Sequence, residues 1–297
     1  MISDIRGWIR KYNRFIYRVL PLLSLIFFIH SVIHSQSGNL HFDRITTEKI
    51  IREKGLSQNT IHCIMQDSKG FIWIGTWDGL NFYDGYSFTI FNMENGLSNN
   101  TIYDVIEDRQ GYIWVATDDG LNRMDRNGSR IVNYMHSEND ANSISNDRVN
   151  HLYEDRLGNI WISTSDGLNK LNPITGIFSS FSFYSPNSEM NRTNWISFTR
   201  EDVSGKLWVG TRYGLHCFHS VDGTFTSYYF NGGITGNDRY LCNTILDCME
   251  DQDENIWLAT LYGIFILDPV TGDYSHLFYS EDCGNCLSSQ RWPNSPR

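Results

Sequence analysis

Five tryptophans, Trp73, Trp114, Trp161, Trp208 and Trp257, recur at spacings of 41, 47, 47 and 49 residues. Periods of roughly 20–50 residues mark stacked or radial arrays, and about 40–50 is the length of a propeller blade. The frame around each Trp is nearly fixed. Six positions before it stands Asp67, Asp108, Asp155, Asp202 or Asp251, and three before it Gly70, Gly111, Gly158 or Gly205, with Glu254 in the last unit. Three positions after it stands Thr76, Thr117, Thr164, Thr211 or Thr260. Six after it stands Gly79, Gly120, Gly167, Gly214 or Gly263, followed by Leu or Ile. An aliphatic residue lies twelve before: Ile61, Ile102, Val149, Ile196, Ile245.

Each unit reads as four short strands. In the first, Ile61–Gln66 is strand one, and Asp67-Ser68-Lys69-Gly70 is a turn in which Asp bonds nearby backbone and Gly takes positive φ. Phe71–Gly75 is strand two, Thr76-Trp77-Asp78-Gly79 a second turn, and Leu80–Tyr83 strand three. Asp84-Gly85 forms a hairpin turn, and Tyr86–Phe91 is strand four. Four-stranded units repeated radially are blades. The expected fold is therefore all-β, a β-propeller with five four-stranded blades over residues 38–290, with each Trp packed between neighbouring blades. A chain 14% aromatic suits pleated strands. Leu40–Ile45 reads as a further strand-like stretch ahead of the first unit.

Residues 1–37 read as an address. Arg6, Arg10, Lys11, Arg14 and Arg18 precede an apolar run, Val19 to Ile33, of about 15 residues, which is short for a spanning helix and suited to a signal-peptide core or an inner-membrane anchor. Export to the periplasm is expected, with membrane contact only through this segment. The net charge is −10 and this segment is basic, so the remainder is more acidic still. Such a body repels phosphate backbones and makes nucleic acid a poor partner.

Six cysteines permit disulfides in an exported chain. They do not follow the repeat, and Cys63, Cys217 and Cys248 fall in strands as small core residues. Cys283-Gly-Asn-Cys286 is a lone CxxC pair without the second pair that a metal site would need. No metal and no cofactor is expected.

The pattern Gly55-Leu56-Ser57-Gln58-Asn59, then Asp67 through Tyr83-Asp84, repeated from Gly96-Leu97-Ser98-Asn99-Asn100 to Met124-Asp125, resembles the two-component regulator propeller repeat. The third copy opens Ser143-Ile144-Ser145-Asn146, and the fourth and fifth lose Gly-Leu-Ser. The resemblance implies the periplasmic sensor of a hybrid histidine kinase that responds to glycans. Receptors of that family carry seven-bladed propellers, a membrane helix and a kinase. The implied reading is thus an incomplete part of a seven-bladed propeller, a receptor fragment that stops before the kinase. Residues 291–297, with two prolines and no strand pattern, read as an aberrant tail.

Successive strands run up and down, which places the Leu-Ser-x-Asn lead-in and the Thr-x-x-Gly turn on one face and the Asp-x-x-Gly turn on the other. The connections Met135–Asn146, Tyr184–Asn194 and Asn231–Cys242 open onto the first face. There, two positions vary inside the fixed frame: Trp77-Asp78, Asp118-Asp119, Ser165-Asp166, Arg212-Tyr213 and Leu261-Tyr262. Varied residues on a regular scaffold are candidates for specificity. Trp77, Tyr213 and Tyr262 can stack on sugar rings, and Asp78, Asp118, Asp119, Asp166 and Arg212 can bond hydroxyls or acidic groups. Asn59, Asn100, Asn194 and Asn243 recur ahead of strand one and read as turn caps.

Three functions compete. The first is an oligosaccharide sensor. The second is a protein–protein or homodimerisation platform, which propeller fold alone does not separate from sensing. The third is a sialidase-like hydrolase, disfavoured by an Asp-to-Gly spacing one residue longer than an Asp box. Adjacent carboxylates such as Asp118-Asp119 also lack the separation that glycoside hydrolysis requires. The expected protein is not an enzyme.

Overall fold

The computed structural model describes residues 55–183, 194–219, 222–230 and 239–277. Residues 1–37, the Leu40–Ile45 stretch, the Cys283/Cys286 pair, the 291–297 tail and much of the connections 184–194 and 231–242 lie outside the described residues. Five antiparallel sheets of four strands follow one another along the chain, each in simple sequence order. Blade one holds β1 (Ile61–Gln66), β2 (Ile72–Thr76), β3 (Gly79–Tyr83) and β4 (Phe88–Phe91). Blade two holds β5 (Ile102–Glu107), β6 (Ile113–Thr117), β7 (Gly120–Met124) and β8 (Ile131–Tyr134). Blade three holds β9 (Val149–Glu154), β10 (Ile160–Thr164), β11 (Gly167–Asn172) and β12 (Ile177–Phe181). Blade four holds β13 (Ile196–Glu201), β14 (Leu207–Thr211), β15 (Gly214–His219) and β16 (Thr224–Tyr228). Blade five holds β17 (Ile245–Glu250), β18 (Ile256–Thr260), β19 (Gly263–Leu267) and β20 (Tyr274–Leu277), preceded by the one-turn helix α1 (Arg239–Asn243). The fold is all-β, with the blades the repeat predicts.

Strand limits shift slightly from the sequence reading. Phe71 lies outside β2 because its N–H is held by Asp67 Oδ1 at 3.0 Å, whereas Thr76 pairs with Gly79 and joins the ladder. The 84–87 turn reaches Ser87, since Asp84 Oδ1 accepts from the N–H groups of both Tyr86 and Ser87 at 2.7 Å, so β4 begins at Phe88.

The Asp–Trp spacing has one physical cause repeated five times. Asp Oδ2 accepts from the indole N–H of the Trp six residues on: Asp67–Trp73 3.1 Å, Asp108–Trp114 2.7 Å, Asp155–Trp161 2.9 Å, Asp202–Trp208 2.9 Å and Asp251–Trp257 2.8 Å. The other carboxylate oxygen accepts backbone N–H groups of the turn itself, as Asp155 does from Leu157 and Asn159. Indole and turn are thus fixed by one buried anion, which is satisfied by several donors at once.

The first four tryptophans each lie against the next blade, whereas Trp257 is half-buried. Trp73 clusters with Ile102, Val105 and Ile113, and Trp114 with Val149, Leu152 and Ile160. Trp161 clusters with Ile196, Leu207 and Val209, and Trp208 with Ile245, Ile256 and Leu258. Burial of so large a ring makes each inter-blade seam a small hydrophobic core.

On the Asp-turn face a second joint closes each seam. The glutamate that ends strand one of a blade accepts the backbone N–H of the preceding blade's turn: Glu107 from Ser68, Glu154 from Arg109 (3.2 Å), Glu201 from Arg156 (3.1 Å) and Glu250 from Val203 (2.7 Å). Cys63, Cys217 and Cys248 are free thiols. Burial pushes Cys217 up to about 11 and Cys248 up to about 12, as fits protonated core side chains. No helix among the described residues is long and apolar enough to cross a membrane.

Candidate functional site

The Thr-x-x-Gly turn closes on itself. Thr76 Oγ1 donates to Gly79 O at 2.9 Å and accepts the Asp78 N–H at 3.1 Å, and the same pair of bonds recurs in all five blades. Gly79 has φ +111°, and a Cβ there would stand 2.9 Å from Phe91 O, so no larger residue fits.

In blades one to three a clasp ties this turn to the lead-in. Ser57 Oγ meets Thr76 Oγ1 at 3.0 Å, Asn81 Oδ1 accepts the Ser57 N–H at 2.8 Å, and Asn81 Nδ2 donates to Ser57 Oγ at 2.9 Å. Ser98, Thr117 and Asn122 repeat it, as do Ser145, Thr164 and Asn169. The lead-in and the Thr turn therefore share one face, as strand alternation requires.

The two varied positions of the turn divide in role. In blades one and three the second faces the next blade. Asp78 Oδ1 accepts Asn100 Nδ2 at 2.9 Å, and Asp166 Oδ1 accepts Asn194 Nδ2 at 2.9 Å. Asn100 and Asn194 in turn accept the N–H groups of Met93 and Phe183, so these asparagines cap across the seam. Tyr213 lies edge-on to Tyr229 at 5.5 Å, and Tyr262 packs on the blade-four/five core. Asp119 is exposed.

The first varied position faces strand one, where every blade carries a β-bulge. Between Ile61 and Cys63, Ile102 and Asp104, Val149 and His151, Ile196 and Phe198, and Ile245 and Asp247, one residue has no partner on strand two. The extra residues are His62, Tyr103, Asn150, Ser197 and Leu246. A bulge re-aims its side chain and often does so beside a binding site. Here it builds a ladder over four blades. Trp77, 59% exposed, stands edge-on to His62 at 5.8 Å. His62 stacks on Tyr103 at 5.3 Å and 3°, and the Tyr103 hydroxyl donates to Asp118 Oδ1 at 3.0 Å. Arg148 pairs with Asp118 at 3.4 Å and lies over Tyr103 at 4.8 Å and over Trp195 at 4.8 Å. Arg212 lies over Trp195 at 3.9 Å.

Of the sequence candidates, the ladder brings together Trp77, Asp118 and Arg212. It leaves Asp78, Asp166 and Tyr262 in the seams and Tyr213 against Tyr229 of its own blade. His62, Tyr103, Arg148 and Trp195 were missed. Arg148 and Trp195 sit thirteen before their tryptophans, where Thr60, Thr101 and Thr244 stand in the other blades, and that break in a threonine column was the available signal. The ladder runs from one exposed indole, Trp77, through stacked, half-buried rings to two cations, the half-buried Arg148 and the exposed Arg212, with one carboxylate between rings and cations.

Residues 55–78, 96–119 and 143–166 match the family described as "Two component regulator propeller". Three of the five units thus match the repeat of that family. No curated protein matches the sequence. Among solved structures, it is similar to an extracellular domain of BT4673 from B. thetaiotaomicron, described as a one component system, at 28% identity and a TM-score of 0.58, over 72% of this chain and 28% of that one. A second structure, described as the extracellular domain of hybrid two component system BT4673, is 20% identical with a TM-score of 0.50, over 78% of this chain and 35% of that one. The dihydro-heme d1 dehydrogenase NirN shares the fold alone, at 13% identity and a TM-score of 0.54, over 75% of this chain and 48% of that one. The chain spans about a third or less of the length of the two B. thetaiotaomicron structures.

Proposed function

We propose that this chain, which carries two-component regulator propeller repeats, is the ligand-recognition region of an exported sensor and that its ligand is an oligosaccharide. The observation that carries this reading is the ladder from Trp77 to Arg212. Bulges supply His62 and Tyr103 to the same face as the varied turns, at no cost to the Asp–Trp and Thr–Gly bonds that hold the blades. The exposed indole of Trp77 suits the apolar face of a sugar ring, and Asp118 and the arginines suit its polar edges. The resemblance to extracellular regulator domains supports export, with residues 1–37 as signal or anchor and 38–290 as the sensing body. No step here requires catalysis.

A homodimerisation platform is the second reading, and one observation favours it. Ile61 and Ile64 on β1, and Leu246 and Met249 on β17, are each close to half exposed, and clustered exposed apolar side chains mark interaction surfaces. Calorimetry of the chain against an oligosaccharide panel, run beside sedimentation, separates the two. Sugar binding that falls at least about tenfold in Trp77→Ala supports sensing. A dimer without sugar binding, unaffected by that substitution, supports the platform.

A further inference from the structure

The ladder carries more positive charge than its own carboxylate answers. Arg148 and Arg212 both lie over the ring of Trp195, at 4.8 Å and 3.9 Å. Asp118 is the acidic partner within reach, and it is shared between Arg148 at 3.4 Å and the Tyr103 hydroxyl at 3.0 Å. Among the described residues Arg212 has no ion pair and its side chain donates no hydrogen bond. Partial desolvation and the neighbouring Arg148 cation hold its guanidinium below the usual arginine value. The Ser165 N–H donates to Arg148 O at 3.0 Å, which places the blade-three turn beside the same arginine. Among the described residues, one buried polar atom of each, Arg148 Nε and Ser165 Oγ, has no hydrogen-bond partner. Buried donors without acceptors are costly. Two guanidiniums, an orphan N–H and an orphan hydroxyl, set on a chain of net charge −10, form a local demand for an oxyanion.

We infer that the oligosaccharide recognised at this face is acidic, with a carboxylate or sulfate group held between Arg148, Arg212 and Ser165 and a sugar ring on the exposed indole of Trp77. The inference rests on the oligosaccharide reading above and narrows it. A uronate and a sulfated sugar offer the same chemistry to these donors. Bidentate pairing with a guanidinium is specific for planar or tetrahedral oxyanions.

The test is calorimetry of the 297-residue chain with three probes: galactotetraose, tetragalacturonate, and a neutral-backbone sulfated tetrasaccharide from κ-carrageenan. At least one acidic probe is expected to bind at least about tenfold tighter than galactotetraose and to weaken in 0.5 M NaCl. Preference for tetragalacturonate identifies a uronate, and preference for the carrageenan probe a sulfate. Arg212→Gln is expected to erase the difference and Arg212→Lys to restore part of it. Arg212 is exposed, so an unchanged melting temperature certifies the fold. Asp118→Asn is expected to tighten acidic binding by removing the competing carboxylate. If galactotetraose binds as well as the acidic probes, or Arg212→Gln leaves the difference intact, the acidic inference falls while the oligosaccharide reading stands. If no probe binds the folded chain, both fall.

Discussion

In blades one to three the Thr turn is tied to its lead-in by the Ser–Thr–Asn clasp, whereas in blades four and five the serine and asparagine positions of the clasp hold other residues. Where the clasp has Asn81, Asn122 and Asn169, the later blades have His216 and Phe265, and where it has Ser57, Ser98 and Ser145 they have Arg192 and Leu241. Both members of the pair change together, because a lone Asn or Ser there would be a buried polar group with half its bonds unmade. Blade four fills the gap by other means: His216 Nδ1 meets Ser227 Oγ at 2.8 Å, and its ring lies 4.5 Å from that of Phe183. In blade five Phe265 stacks with His276 and packs against Phe230. The three clasped blades are also the three that match the family. The Asp–Trp bond, by contrast, is present in all five. The difference separates what a blade requires from what it can replace.

That separation can be broken experimentally, and the Asp–Trp bond gives the largest effect. Asp155→Ala strands the Trp161 indole, two backbone N–H groups and the Asn159 amide. It is expected to cost about 4 kcal/mol in urea unfolding. Asp251→Ala is expected to cost less, because Trp257 is half-buried while Trp161 is buried. Equal losses would mean that burial does not set the strength of this bond.

Next comes a pH signature confined to blade four. Burial pushes the His216 imidazole down from 6.5 to about 4. The folded state therefore holds it neutral while the unfolded chain takes up a proton at its ordinary value. Stability from this residue is full above pH 6.5, falls as pH drops, and is lost by about pH 4, up to about 3 kcal/mol. His216→Phe, which copies blade five, is expected to flatten that part of the stability–pH curve. An unaltered curve would place the acid sensitivity elsewhere.

The smallest effect is expected within the clasp. Asn122→Ala leaves the Ser98 N–H and Oγ short of partners and is expected to cost about 2 kcal/mol. Ser98→Ala in the same chain should then add little, since the two act as a unit. Additive losses would show that they do not.

The blades were legible in the sequence because Asp, Trp, Thr and Gly act within one unit, at separations that never change. The glutamate joints and the cross-seam asparagines were harder to read, since Glu154 serves Arg109 and Asn100 serves Asp78 across two units whose distance varies. The candidate face was half legible. Trp77, Asp118 and Arg212 stood out as variation inside a frame. His62 and Tyr103 did not, because a bulge interrupts alternation without leaving a mark in composition. Asp78 and Asp166 looked equally available until their partners in the next blade were seen.

Each of the first four tryptophans is bonded within its own blade and covered by the next, which sets an order for folding. A blade can close its turns by itself, whereas its tryptophan is shielded from water only when the following 41 to 49 residues have formed the next sheet. Maturation therefore trails turn closure by one blade, and the newest finished sheet presents one aromatic ring until its neighbour arrives.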